Sequence, residues 1–303
     1  MFLVLMLYAL FASVFTLSKG ALETTEPFFL IGVRMSLAGA LMLTFLLIFQ
    51  PQKLKLSKKD LIPILFLGFL NIYLTNALEF WGLQYLTSFK TCFIYSLSPF
   101  ASALVAWGFF NERMNLKKWA GLVIGFLGFI PIFMYQTQEE AISGMLFSFS
   151  WAELAVAGAA LSSVVGWLLL KDLIFDRGMS PLLANGLAML IGGSGALIHS
   201  RLVETWEPVP VKDFPLFIVF GTALLIVSNL IAYNLYGYLL KRFSATFMSF
   251  AGFTTPLFTA LFGWLFLDEV VALPFWVSTA IVFIGLFLFY REELVFKDEP
   301  SVN

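Results

Sequence analysis

The sequence is short of charge, cysteine and histidine, and each shortage excludes a class of protein. Only 12% of its 303 residues are charged, whereas a soluble domain carries about 25%. Its 18 basic and 19 acidic side chains cannot cover a soluble globule of this size, which excludes an ordinary soluble enzyme. A single cysteine, Cys92, excludes a disulfide framework, and a single histidine, His199, excludes a histidine-rich metal site. We therefore expect no metal and no other cofactor.

Long apolar runs are what the sequence has in abundance. Sixty per cent of the residues are apolar, 36 residues are phenylalanine, and the mean hydropathy is +0.91. A helix needs about 20 mostly apolar residues to cross a hydrocarbon core of roughly 30 Å. The runs do not alternate as barrel strands do, so we predict an all-α polytopic membrane protein with ten helical spans. The spans, numbered in chain order, are 2–20, 28–49, 60–80, 88–110, 116–135, 151–171, 181–200, 214–236, 244–267 and 273–290.

The placement of lysine and arginine predicts the orientation of these spans. With the N-terminus in the cytosol, 13 of the 18 basic residues fall in inside loops, 4 fall in outside loops, and Arg34 lies within span 2. Because an even number of spans returns the chain to its starting side, we predict that both termini are cytosolic. A bacterial inner (plasma) membrane is the expected location. The expected partners are the lipid bilayer and a small-molecule substrate, with a monomer or homodimer as the assembly, and the net charge of −1 favours no nucleic acid.

Residues of the same type recur at a nearly fixed offset, which indicates an internal repeat. A one-residue gap in a connecting loop reconciles the two offsets that occur. The pairs 157 positions apart are Pro99 with Pro256 and Glu112 with Glu269, and the pairs 158 positions apart are Asn71 with Asn229 and Asn76 with Asn234.

The repeat unit contains five spans, and an odd number predicts that the second copy is inverted in the membrane. The charges agree, because Arg113, Lys117 and Lys118 follow span 4 whereas apolar residues and proline occupy the equivalent positions after span 9. Inverted repeats are typical of carriers that work by alternating access. A duplication that merely enlarged a scaffold is the alternative. We predict a first repeat at 1–140, a second at 141–293, and a cytosolic tail at 294–303.

The segment at 98–129, SPFASALVAWGFFNERMNLKKWAGLVIGFLGF, resembles the EamA-type drug/metabolite transporters. The resemblance rests on Ser-Pro in span 4, on the Glu-Arg pair that follows it, and on the spaced glycines Gly121, Gly125 and Gly128. In helix count and repeat it extends over nearly the whole chain. It implies ten helices around a central cavity lined largely by spans 1, 3, 4, 6, 8 and 9. It also implies carrier activity toward small metabolites, such as amino acids, nucleotide sugars, phosphometabolites or S-adenosylmethionine.

Polar side chains form stripes on several spans, and we predict that they line a water-accessible cavity. A charge within a span costs about 2.5–3.5 kcal/mol on insertion scales, so an intramembrane carboxylate such as Glu79 indicates function. Hydrogen bonds between helices are the alternative for the Asn, Ser and Thr residues. Lys90 lies near a helix end, where its side chain could instead reach the interface. The predicted substrate-binding residues are Asn71, Thr75, Asn76, Glu79, Lys90, Tyr95, Ser98, Trp167, Asn229, Tyr233 and Asn234.

A second set of residues is predicted to have structural or gating roles. We expect an ion pair for the arginine, helix kinks or hinges at the prolines, close helix packing at the glycines and helix N-terminal caps from the glutamates. The set is Arg34, Pro99, Glu112, Gly121, Gly125, Pro256 and Glu269.

No catalytic motif was found: HExxH, GxSxG and the P-loop are all missing from the sequence. We therefore predict no catalytic residue and no enzymatic activity. The mixed charge of Glu79 with Lys90 or Arg34 suits a zwitterion. The sequence thus predicts a secondary carrier for an amino acid or an amino-acid–nucleoside conjugate such as S-adenosylmethionine, acting as exporter, importer or exchanger. The alternatives are a nucleotide-sugar or phosphometabolite carrier, a non-transporting membrane scaffold, and an intramembrane enzyme.

Overall fold

A computed structural model describes residues 2–110, 114–232, 235–236, 239 and 245–295. The predicted site residues Glu112, Tyr233 and Asn234 lie outside the described residues. The described chain is helical apart from loops and one antiparallel hairpin, with strands β1 (Met145–Leu146) and β2 (Phe149–Ser150). The helices are α1 (Phe2–Thr24), α2 (Pro27–Phe49), α3 (Lys58–Tyr85), α4 (Ser88–Tyr95), α5 (Ser98–Phe110), α6 (Leu116–Met134), α7 (Gln138–Ile142), α8 (Trp151–Asp176), α9 (Pro181–Val203), α10 (Phe214–Ala232), α11 (Ala245–Gly252), α12 (Thr255–Phe266) and α13 (Leu273–Val295).

Eight of these helices are long and apolar enough to cross a membrane: α1, α2, α3, α6, α8, α9, α10 and α13. They correspond to eight of the ten predicted spans. The protein is therefore a polytopic helical membrane protein. The remaining two predicted spans, 88–110 and 244–267, are each divided into two shorter helices in the described chain.

Both divided spans are interrupted just before a proline. Helix α4 ends at Tyr95 and α5 begins at Ser98, which precedes Pro99, while α11 ends at Gly252 and α12 begins at Thr255, which precedes Pro256. Proline has no N–H for the carbonyl four residues earlier, so a continuous helix would leave that carbonyl without its partner. The structure thus replaces two predicted continuous spans with helix pairs at matching positions.

Three helices contain wide-turn π-helical segments, of which one is Asp172–Asp176 at the end of α8. The other two match under the repeat. The segment in α3 is Gly68–Leu74, and the segment in α10 is Leu225–Ala232. Adding the offset of 158 to 68–74 gives 226–232. Each segment holds one of the paired asparagines, Asn71 or Asn229. Because π-helical turns occur frequently at functional sites, both segments are candidate positions for substrate contacts.

The chain divides into two compact units, and each unit takes helices from both predicted repeats. Unit 1 comprises Met1–Thr16, Tyr85–Leu154 and Ala232–Asn303, and unit 2 comprises Leu17–Gln84 and Ala155–Ile231. The units therefore do not coincide with the predicted repeats, whose boundaries stay a prediction.

In unit 1, glycines bring α6 and α13 close together. A Cβ atom added at Gly121 would lie 2.6 Å from the carbonyl oxygen of Gly285, and one added at Gly125 would overlap the ring of Phe100. In unit 2, α2 and α9 approach in the same way, since a Cβ atom at Gly39 would lie 2.7 Å from the carbonyl oxygen of Gly186. Small residues thus allow the backbones to pack closely within each unit.

Candidate functional site

A buried arginine in unit 2 connects α2 to the polar stripe of α3. Arg34, which is 4% exposed, donates from Nη2 to Oδ1 of Asn76 at 2.9 Å. Its guanidinium carbon lies 5.1 Å from the centroid of the Phe80 ring. The amide of Asn76 also donates to the carbonyl of Ile72 at 2.8 Å, which fixes its orientation.

Glu79 lies one helical turn after Asn76 and is the acidic member of this group. Its side chain is half-buried, and the positive charge of Arg34 attracts its carboxylate. The guanidinium of Arg34 is therefore buried and held by Asn76, while the carboxylate of Glu79 is partly accessible. A partly accessible carboxylate with a fixed buried counter-charge can bind a cationic group of a substrate without a large rearrangement.

Asn71 and Thr75 lie where α3 packs against α8. The hydroxyl of Thr75 donates to the Leu70 carbonyl at 2.9 Å, and the hydroxyl of Ser162 donates to the same oxygen at 2.8 Å. Asn71 packs against Gly166, where an added Cβ atom would lie 2.6 Å from the amide oxygen of Asn71. The described contacts of Thr75 are thus with backbone carbonyls, at Leu70 within the π-helical segment and at Ala159 on α8.

Asn229 in α10 is fully buried with half of its amide unused. Its Nδ2 atom lies 3.6 Å from Sδ of Met35 and 3.7 Å from Sδ of Met189, and thioethers are weak acceptors. Its Oδ1 atom has no hydrogen-bond partner among the described residues. Leaving a buried acceptor unsatisfied costs about 1–3 kcal/mol, so this side chain is a candidate for a functional contact formed in another state of the protein.

Lys90 is placed in a closed ion cluster of unit 1. Its Nζ atom lies 2.6 Å from Oε2 of Glu140, 2.8 Å from Oε1 of Glu153 and 2.8 Å from the carbonyl oxygen of Tyr135. The Lys90 side chain is 2% exposed. The ammonium thus donates hydrogen bonds to Glu140 and Tyr135 and forms an ion pair with Glu153, and we do not include Lys90 in the proposed substrate site.

The other described members of the predicted binding set lie on α4, α5 and α8. The ring of Tyr95 meets the ring of Phe15 edge to face, with centroids 6.2 Å apart. Ser98 is half-buried at the first residue of α5, and Trp167 is exposed on α8. Within unit 2, the structure therefore brings together Asn71, Thr75, Asn76 and Glu79 with Arg34.

Glu269 lies at the N-terminus of α4. Its carboxylate accepts from the backbone N–H of Ser88 at 2.6 Å and from the Ser88 hydroxyl at 2.7 Å. A Cβ atom at Gly263 would lie 2.9 Å from that hydroxyl oxygen, so glycine there makes room for the contact. This is the geometry of a helix cap supplied by a distant residue.

Three acidic residues with structural contacts are missing from the sequence-based set. Glu140 and Glu153 bind Lys90, and Glu204 accepts from the backbone N–H groups of Phe28 and Phe29 at the start of α2. A sequence signal exists for the first two, since each is the fourth residue of a Thr/Ser-x-x-Glu capping pattern. Glu204 carries no comparable local signal.

Comparison with known proteins agrees with this architecture. The sequence profile described as the EamA-like transporter family matches residues 1–134 and again residues 150–291. The chain belongs to this family. The match confirms the predicted family and the carrier class, and it covers both predicted repeats. Together with the eight apolar helices, it identifies an integral, multi-pass protein of a bacterial plasma membrane.

Similar proteins carry a more specific description. A protein of Chlamydia muridarum is 38% identical over 96% of this chain and 92% of its own length, and it is named an S-adenosylmethionine/S-adenosylhomocysteine transporter. A protein of Chlamydia trachomatis serovar L2 with the same name is 38% identical over 96% of this chain and 89% of its own length. A crystal structure described without a function has a TM-score of 0.66 at 17% identity, covering 99% of this chain and 97% of that one. The last likeness concerns the fold alone.

Proposed function

We propose that this EamA-like protein exchanges S-adenosylmethionine for S-adenosylhomocysteine across the membrane by alternating access. The observation that carries the proposal is the 38% identity, over 96% of the chain, to proteins named as transporters of this pair. The two molecules share an adenosine group and an amino-acid group, which differ in chemistry but are both polar. A carrier for them needs acceptors and donors within membrane-spanning helices.

Unit 2 supplies groups of the required kinds. The carboxylate of Glu79 is suited to the substrate ammonium or to the sulfonium of S-adenosylmethionine. The amides of Asn71, Asn76 and Asn229 are suited to the carboxylate, the ribose hydroxyls or the adenine edge. Arg34 keeps the role of a buried counter-charge that orients Asn76. In this proposal, Glu79 and the asparagines contact substrate, while Thr75 and Arg34 position them.

The proposed architecture is ten membrane crossings in two inverted five-helix repeats, with both termini in the cytosol. Support comes from the two family matches, at 1–134 and 150–291, and from the irregular backbone positions that recur at the repeat offset. The bias of basic residues supports the orientation. Each divided span would then cross the membrane as a broken helix, a form that transporters use near their binding sites.

The test is counterflow in liposomes that contain the purified protein. Uptake of labelled S-adenosylmethionine should rise at least about tenfold when the lumen holds unlabelled S-adenosylhomocysteine rather than buffer, a ratio equivalent to about 1.4 kcal/mol. A parallel panel of amino acids, nucleotide sugars and sugar phosphates tests the alternatives. Stimulation by a panel member, with none by S-adenosylhomocysteine, would reject the proposed substrate pair.

Glu79→Gln tests the site itself. Hydrogen bonds to charged groups contribute about 1.5–3 kcal/mol, so we expect the KM for S-adenosylmethionine to rise roughly tenfold to hundredfold. The matched control is Glu139→Gln, because Glu139 is exposed on α7. Equal kinetics for the two variants would remove Glu79 from the substrate site.

A further inference from the structure

The cluster of Lys90, Glu140 and Glu153 contains more acidic than basic groups. Lys90 lies on α4, Glu140 on the connecting helix α7, and Glu153 in the first turn of α8. The side chains are 2%, 1% and 0% exposed, respectively, so water does not screen their charges. One ammonium faces two carboxylates, and the formal charge of the fully ionised cluster is −1.

No other cation compensates this charge within the described part of the chain. Lys90 is the basic residue that contacts Glu140 and Glu153 there. Glu269 accepts from the backbone N–H and the hydroxyl of Ser88 at the N-terminus of α4. Glu139, the acidic neighbour of Glu140, is exposed and solvated. Two buried carboxylates with one ammonium are strongly disfavoured unless one of them is neutral.

The hydrogen bonds distinguish the two acids. Oε2 of Glu153 accepts from the backbone N–H of Ser150 at 2.7 Å, and a donated N–H favours the ionised form. Oε1 of Glu153 makes no hydrogen bond but lies 2.8 Å from the Lys90 ammonium, whereas Oε1 of Glu140 has neither a hydrogen bond nor an ion-pair contact among the described residues. Burying an oxygen without a polar contact is less costly in a protonated Glu140 than in an ionised one, because each oxygen of the neutral carboxyl carries less charge.

We propose that this cluster is a proton-binding site, in which a proton taken from solvent resides on Glu140. The bound proton makes the cluster electrically neutral. Burial raises the pKa of the Glu140 carboxyl, and the adjacent Lys90 ammonium opposes this by a smaller amount. Since residues 135–153 connect α6 to α8, the site lies on the connection between the two proposed repeats.

The site predicts how stability depends on pH. The pKa of Glu140 is higher in the folded than in the unfolded protein, whose glutamates titrate near pH ~4.3. The stabilisation from the bound proton is therefore complete below the unfolded pKa and is lost as pH rises through the folded pKa. A glutamine at position 140 mimics the neutral carboxyl and has no proton to lose.

The experiment measures the unfolding temperature of the purified, full-length protein in detergent across a pH series. Wild type should lose several degrees as pH rises, whereas Glu140→Gln should be independent of pH over that range and at least as stable at its upper end. The double variant Glu140→Gln/Glu153→Gln should be less stable at every pH, because Lys90 then has no carboxylate. The control Glu139→Gln should retain the wild-type pH dependence.

A second measurement observes the proton directly. Infrared spectra recorded at a pH below the folded pKa of Glu140 should contain the carbonyl stretch of a protonated carboxyl that disappears in Glu140→Gln and persists in Glu139→Gln. A wild-type pH dependence in Glu140→Gln, or persistence of that band in the same variant, would contradict the proposal. Neither measurement involves transport, so failure here is distinct from failure of the proposed substrate.

Discussion

The two compact units use their buried polar groups differently. In unit 1, Lys90 contacts two carboxylates and Glu269 contacts Ser88, so these side chains join helices and connections to one another. In unit 2, Glu79 stays partly accessible beside Arg34, and the amide oxygen of Asn229 has no partner among the described residues.

The role of an ionisable residue in a membrane protein is therefore best inferred from whether other groups of the protein already use its hydrogen-bonding capacity. The rule that intramembrane charges mark function selects Lys90 and Glu79 equally. The contacts separate them, because Lys90 donates to Glu140 and Tyr135 and forms an ion pair with Glu153 within the protein. The charges of Lys90 and Glu269 in unit 1 thus have structural contacts, whereas unit 2 holds the polar groups proposed for substrate beside the structural carboxylate Glu204.

Among the substitutions that test the difference between the two units, Lys90→Met should cause the largest loss of stability. Removing one partner of a buried ion pair leaves an uncompensated charge and costs about 3–5 kcal/mol. The unfolding temperature in detergent should fall strongly, with a greater fall at higher pH. Lys53→Met is the control, since Lys53 is exposed in the loop before α3.

The opposite outcome for Lys90→Met would contradict this difference between the two units. A variant with wild-type stability that no longer transports S-adenosylmethionine would make Lys90 a substrate residue, as the sequence alone predicts. Both readouts are therefore needed on the same preparation.

A smaller loss of stability is expected for Glu269→Ala in the same unit. The substitution removes two hydrogen bonds from the first residue of α4 and a negative charge near the helix N-terminus. Loss of a helix cap costs about 0.5–2 kcal/mol. The KM for S-adenosylmethionine should remain within about twofold of wild type, a difference well below 1.4 kcal/mol. A large rise in KM at unchanged stability would instead assign Glu269 to the substrate site.

Much of the fold follows from the sequence for a simple physical reason. A bilayer demands long apolar helices, and the apolar runs predict eight helices that the structure describes. Proline positions at 99 and 256 indicate where helices are disturbed, because proline cannot donate to the preceding turn. The full interruption of those spans, and the π-helical segments around Asn71 and Asn229, depend on packing that no local pattern contains.

The site is less predictable, since long-range pairing decides which polar groups remain available. Lys90 and Glu140 are 50 positions apart, and Lys90 and Glu153 are 63 apart, so no periodicity indicates their contact. The stripe of Asn71, Thr75 and Glu79 is visible from helical spacing alone, yet its division into positioning and candidate binding groups requires the contacts.

The smallest expected change in stability, and the one with an unusual sign, is that of Asn229→Leu. The side chain is fully buried, and its amide contacts two thioethers while its oxygen has no partner among the described residues. An apolar side chain of similar size should therefore leave the free energy of unfolding unchanged or raise it by about 1 kcal/mol. Counterflow of S-adenosylmethionine should nevertheless decrease, because the proposed substrate contact is lost. Asn115→Leu is the matched control, since Asn115 accepts from the backbone N–H of Lys118 as the cap of α6 and its loss should destabilise the protein. If Asn229→Leu destabilises the protein as strongly as Asn115→Leu and transports normally, Asn229 is structural, and unit 2 differs less from unit 1 than its contacts indicate.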